Sequence, residues 1–302
     1  MPVFARGTGL GNRLFNWARA QVYAEKFGIE FISPIWFSLR FHQVLEAGSI
    51  HDTNFGLFAS GKNEHGHYMG VLLKIFGEVI PEPIMLSEQP KLLHKKFGLI
   101  QFSGVGGDYH SFIPIAGEQK FLCAKLTSIV RPKWKNVISN YDEYASTAIG
   151  VHIRYGRGFR EAEKKEDIFL KGTIKTPSTW FVDTLKTIRD KAGFDVPVLL
   201  VSDGALSELA PILKLRNIKL VRPACPISDL LLLSRTRLIV GSGGSSFSAW
   251  ASYLGEIPTF VHPGQCLSWF GLPKSPSGHV CTFDPANPDG DIFGDVGAIF
   301  KE

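Results

Sequence analysis

Short apolar runs recur along the second half of the chain, and the segments between them have helical spacing. The runs lie at 148–154, 196–201, 218–221, 238–240 and 259–261. Runs that are rich in Val, Ile and Leu and poor in polar positions are typical of parallel strands covered on both faces. Their alternation with helices predicts an α/β fold in this half, with a doubly wound sheet of the Rossmann type.

The helices of this half have recognisable starts. Thr176 and Pro177 stand where an N-cap and a first-turn proline belong, so we expect a helix to begin there. A further helix is expected over 227–236, with Ser228 or Asp229 near its cap. These starts support the alternation of strand and helix.

The beginning of the chain shows the same alternation around a glycine-rich turn. An apolar segment at 2–5 is followed by GTGLG at 7–11, a helical stripe over 12–27 and a second apolar run at 29–32. This order predicts a βαβ unit. Glycines at such a turn let backbone amides approach a ligand, and the helix N-terminus adds a partial positive charge. A purely structural turn is the alternative.

The two halves are expected to form separate domains. The segment 135–147 is polar and is followed at once by a strong strand, so we place the boundary near it. This gives a Rossmann-like domain over 1–145, a second one over 146–269 and a tail over 270–302. The tail is rich in Pro, Gly and Asp, and we expect it to pack on the surface, with the first domain as one place for it.

Composition and charge narrow the class of protein. The chain has 302 residues, of which 44% are hydrophobic and 20% charged, as in ordinary soluble domains. The net charge of +5 is too small to indicate a nucleic-acid partner, but it is compatible with an anionic substrate or a membrane surface. No apolar run approaches the roughly 18 residues of a membrane-spanning helix, and no signal peptide is visible. We therefore expect a cytoplasmic protein, with peripheral membrane contact left open.

Metal binding is not expected from the sequence. The four cysteines are scattered without a CxxC motif, which favours free thiols in a reducing compartment. His65 and His67 lie close together, but no third ligand stands in a fixed relation to them.

The stretch GVHIRYGRGFR at 150–160 combines a buried strand with fixed charge. His152 and Arg154 alternate along the strand, so both side chains leave it on one face. Glycines and a further arginine follow directly. Cations delivered to the carboxyl end of a parallel strand suit a bound anion such as a phosphate. A strand that ends in a simple ion pair is the alternative.

Two further strand ends are expected at the same edge of the sheet. Asp203 follows the run 196–201 and could accept hydrogen bonds from a base or a ribose, although an Asx turn explains it equally well. The loop GSGGSSFS over 241–248 leads into a helix, where glycines, hydroxyls and the helix N-terminus suit an anion. The serines could instead serve only as a helix cap. Arg154 and this loop together could neutralise a diphosphate without a metal ion.

Three of these stretches resemble one known family. GLGNRLFNWA at 9–18, GVHIRYG at 150–156 and SSFSAWA at 245–251 are similar, in order and spacing, to motifs of the α-1,2-fucosyltransferases of glycosyltransferase family 11. The resemblance spans most of residues 1–262. It implies a GT-B fold of two Rossmann-like domains facing a cleft, the first on the acceptor side and the second holding the nucleotide sugar. It also implies an inverting, metal-independent transfer of fucose from GDP-fucose to a glycan, with no further cofactor.

The resemblance also assigns roles to individual residues. Arg154 would bind the diphosphate and His152 would support the same site, so these two are the expected catalytic residues. The resemblance also implies donor contacts from Ser245, Ser246 and Phe247 and, at the interdomain cleft, from Asn12 and Arg13. From their places at a strand end and in the glycine turn, we further expect Asp203 and Gly11 to contact the donor. The sequence departs from the family directly after Arg154, because Tyr155, Gly156 and Arg157 stand where the family has a second arginine and then Gly-Asp.

Other interpretations stay open. A different nucleotide sugar could be the donor on the same fold, and the altered positions 155–157 also allow a non-catalytic protein that binds a nucleotide or a glycan. An NAD-dependent oxidoreductase is disfavoured, because the turn at 7–11 is not G-x-G-x-x-G and no acidic residue ends the next strand. Glu161, Glu163 and Asp167 follow the motif, but a solvated charge run explains them better, so no general base is assigned.

Overall fold

The computed structural model describes most of the chain. The described residues are 1–4, 9–36, 56–59, 61, 64–90, 97–104, 111–156, 159–163, 168, 174–265, 280–288 and 299–300. The chain divides into two compact units, Met1–Lys135 and Asn136–Glu302. No helix within the described ranges is both long enough and apolar enough to cross a bilayer.

One long helix forms the centre of the N-terminal unit. α1 (Leu10–Phe27) buries side chains on nearly all sides, and Leu14, Phe15 and Trp17 are fully buried. A helix that is buried all round lies inside a core rather than on its surface. Gly28, in the left-handed conformation with φ 61°, ends the helix. The predicted helix and its stop are therefore confirmed, with a start slightly earlier than expected.

Short elements follow α1 in the same unit. They are β1 (Phe31–Ile32), β2 (Glu64–His65), α2 (His67–Phe76), β3 (Glu78–Pro81), β4 (Gly98–Gln101), a 3-10 turn at Ile113–Ile115 and α3 (Gln119–Ile129). β1 pairs with β2 and β3 pairs with β4, both in parallel. The next helix is α4 (Pro132–Thr147), and the boundary between the two units falls within it. The polar segment 135–147 is therefore part of a helix.

The βαβ unit predicted at the start of the chain is not formed as expected. Pro2 makes an isolated parallel bridge with Phe102, and the Val3 N–H donates to the Phe102 carbonyl at 2.7 Å. The second bond of this bridge runs from the Phe102 N–H to the Met1 carbonyl at 2.9 Å. β1 pairs with β2 instead. Residues 5–8, which hold part of the predicted strand and glycine turn, lie outside the described residues.

A parallel sheet forms the core of the C-terminal unit. Its strands in the described ranges are β5 (Ile149–Ile153), β6 (Val198–Ser202), β7 (Ile218–Leu220), β8 (Leu238–Gly241), β9 (Thr259–Val261) and β10 (Val280–Thr282). The helices between them are α5 (Ser178–Ala192), α6 (Leu206–Leu213), α7 (Pro226–Leu233) and α8 (Ser246–Gly255). The order across the sheet is β10-β9-β8-β5-β6-β7. The predicted α/β fold with a parallel sheet is confirmed.

β5 lies inside this sheet, and every one of its residues is buried. Val151 lies opposite Leu200 of β6 and Val240 of β8, and all three side chains are inaccessible to solvent. A strand with neighbours on both sides and cover on both faces has no solvent side, which explains its continuous apolar sequence. Such burial fixes the register, so the residues that follow β5 are placed by the sheet.

The start of α5 differs from the prediction. Pro177 occupies the N-cap position and makes no capping side-chain bond, so Thr176 is not the cap. Thr176 is instead fully buried, and its Oγ1 donates to Gln265 Oε1 at 2.6 Å. The hydroxyl has a distant partner that local sequence does not reveal.

The tail also differs from the prediction. β10 pairs with β9, with Val280 opposite Thr259, so part of the segment 270–302 extends the sheet. Ile299 and Phe300 pack against the hydrophobic core of the same unit. The described part of the tail therefore completes the C-terminal unit rather than lying over a finished surface.

Candidate functional site

The order of strands reverses beside β5. The chain places β6 and β7 on one side of β5 and then places β8 and β9 on the other. In open parallel sheets, ligands bind outside the carboxyl ends of the strands at such a reversal. Arg154, Asp203 and Ser242 directly follow β5, β6 and β8. The structure thus brings the predicted strand ends together at one edge of the sheet.

His152 lies just inside this edge. Its side chain is buried, its Nδ1 lies 2.7 Å from Ser248 Oγ, and its ring stacks on Phe247 with the centroids 4.8 Å apart. Burial, with a smaller effect from the nearby positive charge of Arg154, lowers the pKa of His152 to about 3. The imidazole is therefore neutral near pH 7 and acts as a packing and hydrogen-bonding group under the first turn of α8.

Arg154 is held by its backbone and keeps its side chain at the surface. Its N–H donates to Ser242 Oγ at 2.9 Å, and the Ser242 N–H donates to the His152 carbonyl at 2.9 Å. These bonds tie the end of β5 to the loop after β8. The guanidinium pairs with the Asp203 carboxylate and lies 5.3 Å from the centroid of the Phe159 ring. With its side chain 36% exposed, it is a fixed cation that a ligand can reach.

Asp203 holds the loop that follows β5. Its Oδ1 accepts hydrogen bonds from the Tyr155 N–H at 2.9 Å and the Gly156 N–H at 2.8 Å, while Oδ2 pairs with Arg154. A Cβ at Gly156 would clash with this carboxylate, so the close approach requires glycine. These contacts make Asp203 a positioning residue for the loop and for Arg154. Its contact with a base or ribose stays a prediction.

The loop between β8 and α8 ends in an uncapped helix. Gly244 has φ 67°, in the left-handed region that favours glycine. Ser245 occupies the N-cap position of α8, but its side chain makes no capping hydrogen bond. The interpretation of Ser245 as a cap alone is therefore wrong. Ser246 and Phe247 form the half-buried first turn, where backbone N–H groups and the helix dipole attract an anion.

Beside the site lies a buried polar network that was not predicted from the sequence. The Tyr155 hydroxyl donates to the Thr176 carbonyl at 2.7 Å, and Gln265 Nε2 donates to the Ile174 carbonyl at 3.1 Å. The Thr176 hydroxyl donates to Gln265 Oε1, so the three hydrogen bonds form one connected network. Burial, with help from Glu161 and Glu208, raises the pKa of Tyr155, so its hydroxyl keeps its proton. The residue that stands in place of a second arginine is thus a packed side chain.

Asp229 is a buried titratable residue. From the sequence it was expected only to lie near the cap of a helix. Cys225 holds the N-cap position of α7, and Asp229 lies in the first turn. The carboxyl is buried and accepts a long hydrogen bond, 3.4 Å, from the Cys225 N–H. Burial raises the pKa of Asp229 to about 7, against smaller lowering effects from this bond and from Arg222. Buried carboxyls that titrate near neutrality are candidates for functional sites.

The donor-binding residues predicted in the N-terminal unit lie at the start of α1. Gly11 is buried and Asn12 is half-buried. Arg13 is buried, its guanidinium donates to the Trp36 carbonyl at 2.5 Å, and it lies 5.4 Å from the centroid of the Phe4 ring. These contacts hold Arg13 inside its own unit. Contact of the three residues with a donor stays a prediction.

The acidic residues after the motif fit the solvated charge run. Glu161 pairs with Lys175 at 3.1 Å and Glu163 with Arg160 at 3.9 Å, and both glutamates are strongly exposed. Arg157, Gly158 and Asp167 lie outside the described residues.

No group of three or more His, Cys, Asp or Glu side chains among the described residues is placed to hold a metal ion. His65 Nε2 lies 3.2 Å from a carboxylate oxygen of Glu30.

Comparison with known proteins shows the fold. No protein-family model matches this chain, and no curated protein does. The selenomethionine form of the fucosyltransferase NodZ from Bradyrhizobium is similar with a TM-score of 0.51, at 14% identity over 95% of this chain and 95% of that chain. A second structure of NodZ from Bradyrhizobium gives a TM-score of 0.50, at 15% identity over 84% of this chain and 92% of that chain. The fold is thus the GT-B type that the sequence predicts.

Proposed function

We propose that this chain is an inverting glycosyltransferase that moves fucose from GDP-fucose to a hydroxyl group of a glycan. The observation that carries the proposal is the meeting of Arg154, Ser242 and the uncapped N-terminus of α8 at the reversal beside β5. A fixed guanidinium, hydroxyls and backbone amides at one sheet edge suit a diphosphate. The fold shared with fucosyltransferases and the motifs similar to those of the α-1,2 family support fucose as the sugar.

In the proposed reaction, the acceptor hydroxyl attacks the anomeric carbon on the face opposite the diphosphate. The new carbon–oxygen bond forms while the bond to the β-phosphate breaks, so the sugar is inverted and GDP leaves with the electron pair. The hydroxyl proton passes to a base that we leave unassigned. Negative charge grows on the leaving diphosphate, where the Arg154 guanidinium and the first-turn amides of α8 stabilise it.

His152 and Asp203 would act indirectly, by positioning the groups that bind the diphosphate. His152 is neutral and packs on Phe247, so it positions the first turn of α8 against the diphosphate. Asp203 holds the β5 loop and orients the Arg154 guanidinium. In this proposal His152, expected from the sequence to be catalytic, and Asp203 both position groups that touch the donor.

The proposal assigns neutralisation of the diphosphate to Arg154 and the helix N-terminus, so transfer should need no metal ion. Gly11, Asn12 and Arg13 would contribute from the N-terminal unit, and Ser245, Ser246 and Phe247 from the donor side. We also propose that the fucose is attached through an α-1,2 linkage and that the protein is cytoplasmic.

The test is a donor panel on the purified chain. Thermal unfolding is measured with GDP-fucose, GDP-mannose, UDP-sugars and dTDP-sugars. Release of the nucleoside diphosphate of each donor is then followed with and without oligosaccharide acceptors. We expect GDP-fucose to raise the unfolding temperature most, because binding to the folded state alone stabilises it. Fucose transfer should persist in the presence of a chelator.

Each other outcome has a defined meaning. Stabilisation by another nucleotide sugar, with its transfer, would replace fucose by that sugar. Stabilisation by GDP-fucose with neither hydrolysis nor transfer to any acceptor would make the chain a binding protein. If no donor stabilised the chain and none released its nucleoside diphosphate, the proposal would be overturned.

A further inference from the structure

Gln265 is a buried glutamine that lies shortly after β9, at the carboxyl edge of the parallel sheet. Its Oε1 accepts a hydrogen bond from the Thr176 hydroxyl at 2.6 Å, and its Nε2 donates to the Ile174 carbonyl at 3.1 Å. Its own N–H donates to the His262 carbonyl at 2.7 Å, which fixes the residue at the end of β9. Both ends of the carboxamide are therefore used to hold the segment 174–176.

This segment in turn holds Tyr155, the residue that follows Arg154. The Tyr155 hydroxyl donates to the Thr176 carbonyl at 2.7 Å, so hydrogen bonds connect Gln265 to Tyr155 through Thr176. Both bonds are buried, where water does not compete with them. The position of the side chain beside Arg154 therefore depends in part on Gln265.

Gln265 also packs on the glycine turn before α8. A Cβ at Gly243 would clash with Gln265 Cβ and would lie 2.9 Å from its Oε1, so the turn lies directly against this side chain. Gly244, with φ 67°, and the N-cap residue Ser245 follow at once. Because packed groups leave little free space, Gln265 limits where the turn and the start of α8 can lie.

Gln265 thus gives the two parts of the proposed diphosphate site a second connection. One part is Arg154, and the other is the N-terminus of α8. Their direct connection is the hydrogen bond from the Arg154 N–H to Ser242 Oγ. A diphosphate that touches both parts needs them at a fixed separation, and a site that is already in the bound geometry binds at a lower cost.

We propose that Gln265 is a positioning residue, which holds the Arg154 loop and the glycine turn before α8 at the separation that a nucleoside diphosphate requires. The inference rests on the proposed function, because it takes this edge of the sheet as the diphosphate site. Gln265 would act without touching the donor, since its carboxamide is bonded to Thr176 and Ile174. A glutamine that only stabilised the fold would affect the binding of every ligand alike.

The test is titration calorimetry of the full chain with GDP and with GMP, at a temperature where each variant is folded. Gln265→Ala removes both side-chain hydrogen bonds and leaves only a Cβ against Gly243. We expect it to bind GDP about tenfold more weakly than the parent but GMP less than about threefold more weakly, because only a diphosphate depends on both parts of the site. A loss of stability alone would not change the ratio of the two affinities.

A second variant tests the connection to the Arg154 loop. Tyr155→Phe keeps the ring and removes the hydroxyl that donates to Thr176. It should weaken GDP binding in the same direction as Gln265→Ala but by less. In the background Gln265→Ala it should have no further effect, because its contribution passes through Thr176 and Gln265. This variant decides the test if Gln265→Ala fails to fold.

Gln21→Ala is the matched control. Gln21 is a buried glutamine of α1 whose Nε2 donates to Glu64 Oε1 at 3.1 Å, and its variant should bind both nucleotides like the parent. A parent that binds no GDP would overturn the proposed function, and this inference with it. If the parent binds GDP, then parent-like binding by Gln265→Ala, or equal losses for GDP and GMP, would overturn the inference alone. Parent-like binding by Tyr155→Phe would remove the connection to the Arg154 loop and overturn it as well.

Discussion

Two arginine–carboxylate pairs, one in each unit, differ in how much water reaches them. Arg19 of α1 pairs with Glu82 at 3.0 Å, and the two side chains are 3% and 7% exposed. Arg154 pairs with Asp203, and those side chains are 36% and 31% exposed. The chemistry of the two pairs is the same, so their surroundings must decide what each does.

The buried pair joins secondary-structure elements. Arg19 also donates to Asn16 Oδ1 at 3.0 Å and to the Gly104 carbonyl at 3.3 Å, while Glu82 accepts a hydrogen bond from the Ser103 N–H at 3.2 Å. These bonds fix α1 to the chain after β3 and β4. The pair at the sheet edge has its guanidinium open to a ligand instead. Burial therefore separates an arginine that holds the fold from one that is available for chemistry.

The largest expected loss of activity comes from the exposed pair. Arg154→Ala should lower fucose transfer by about 10²–10³-fold, because the leaving diphosphate loses its fixed cation. The unfolding temperature should stay near that of the parent, since the side chain is partly exposed. Arg160→Ala is the matched control, because Arg160 is also exposed and pairs with a glutamate. Activity is measured as GDP release. Turnover near the parent rate in the Arg154 variant would show that the Arg154–Asp203 pair, like the Arg19–Glu82 pair, only holds the fold.

The buried pair should show the opposite behaviour. Arg19→Ala leaves Glu82 charged and without its partner in the core, so we expect a loss of about 3–5 kcal/mol in the free energy of unfolding. Urea unfolding measures this loss. The control is Lys125→Ala, which breaks an exposed pair with Glu25 and should cost under about 1 kcal/mol. Equal stabilities of the two variants would remove the distinction drawn from burial.

Much of the fold was predictable, because burial leaves a local signature. β5 and β9 are short, almost wholly apolar runs, since strands covered on both faces tolerate few polar residues. The helix predicted over 12–27 forms as α1, Leu10–Phe27. The predicted strand ends also meet at one edge, because parallel strands align their carboxyl ends. The position of Arg154 therefore followed from the sequence.

What was not predictable depends on distant partners. Thr176 resembles a helix cap locally, but Gln265 captures its hydroxyl. β10 is too short to stand out and becomes a strand by pairing with β9. The raised pKa of Asp229 arises from its burial in the folded chain, which its local sequence does not reveal. In each of these cases tertiary packing overrides the local preference.

Asp229 is a buried carboxyl that, unlike Glu82, forms no salt bridge with another described residue. The pKa of Asp229 is raised from 3.8 to about 7, so the folded chain holds a proton that the unfolded chain releases. The contribution of Asp229 to stability is therefore fully present below about pH 4 and is lost as the pH rises through about 7. Asp229→Asn keeps the acceptor oxygen and should gain about 2–4 kcal/mol over the parent at pH 8, but little at pH 4.

Urea unfolding of the two proteins across this pH range measures the difference. Asp142→Asn, at an exposed carboxylate paired with Arg235, is the matched control for the loss of a carboxylate. A constant difference for Asp229→Asn would show that the carboxyl is ionised in the folded protein.

The smallest expected effect concerns the partner of Arg154. Asp203→Asn keeps an oxygen that can accept from the Tyr155 and Gly156 N–H groups, but it removes the charge that orients the guanidinium. We expect kcat/KM to fall by about tenfold, with the unfolding temperature nearly unchanged, because an oriented cation binds the developing charge better than a mobile one. Glu163→Gln, a change at an exposed carboxylate paired with Arg160, should leave kcat/KM unaltered. In the background Arg154→Ala the Asp203 substitution should have no further effect, because its contribution passes through Arg154. Additive losses in the double variant would instead give Asp203 a contact with the donor of its own.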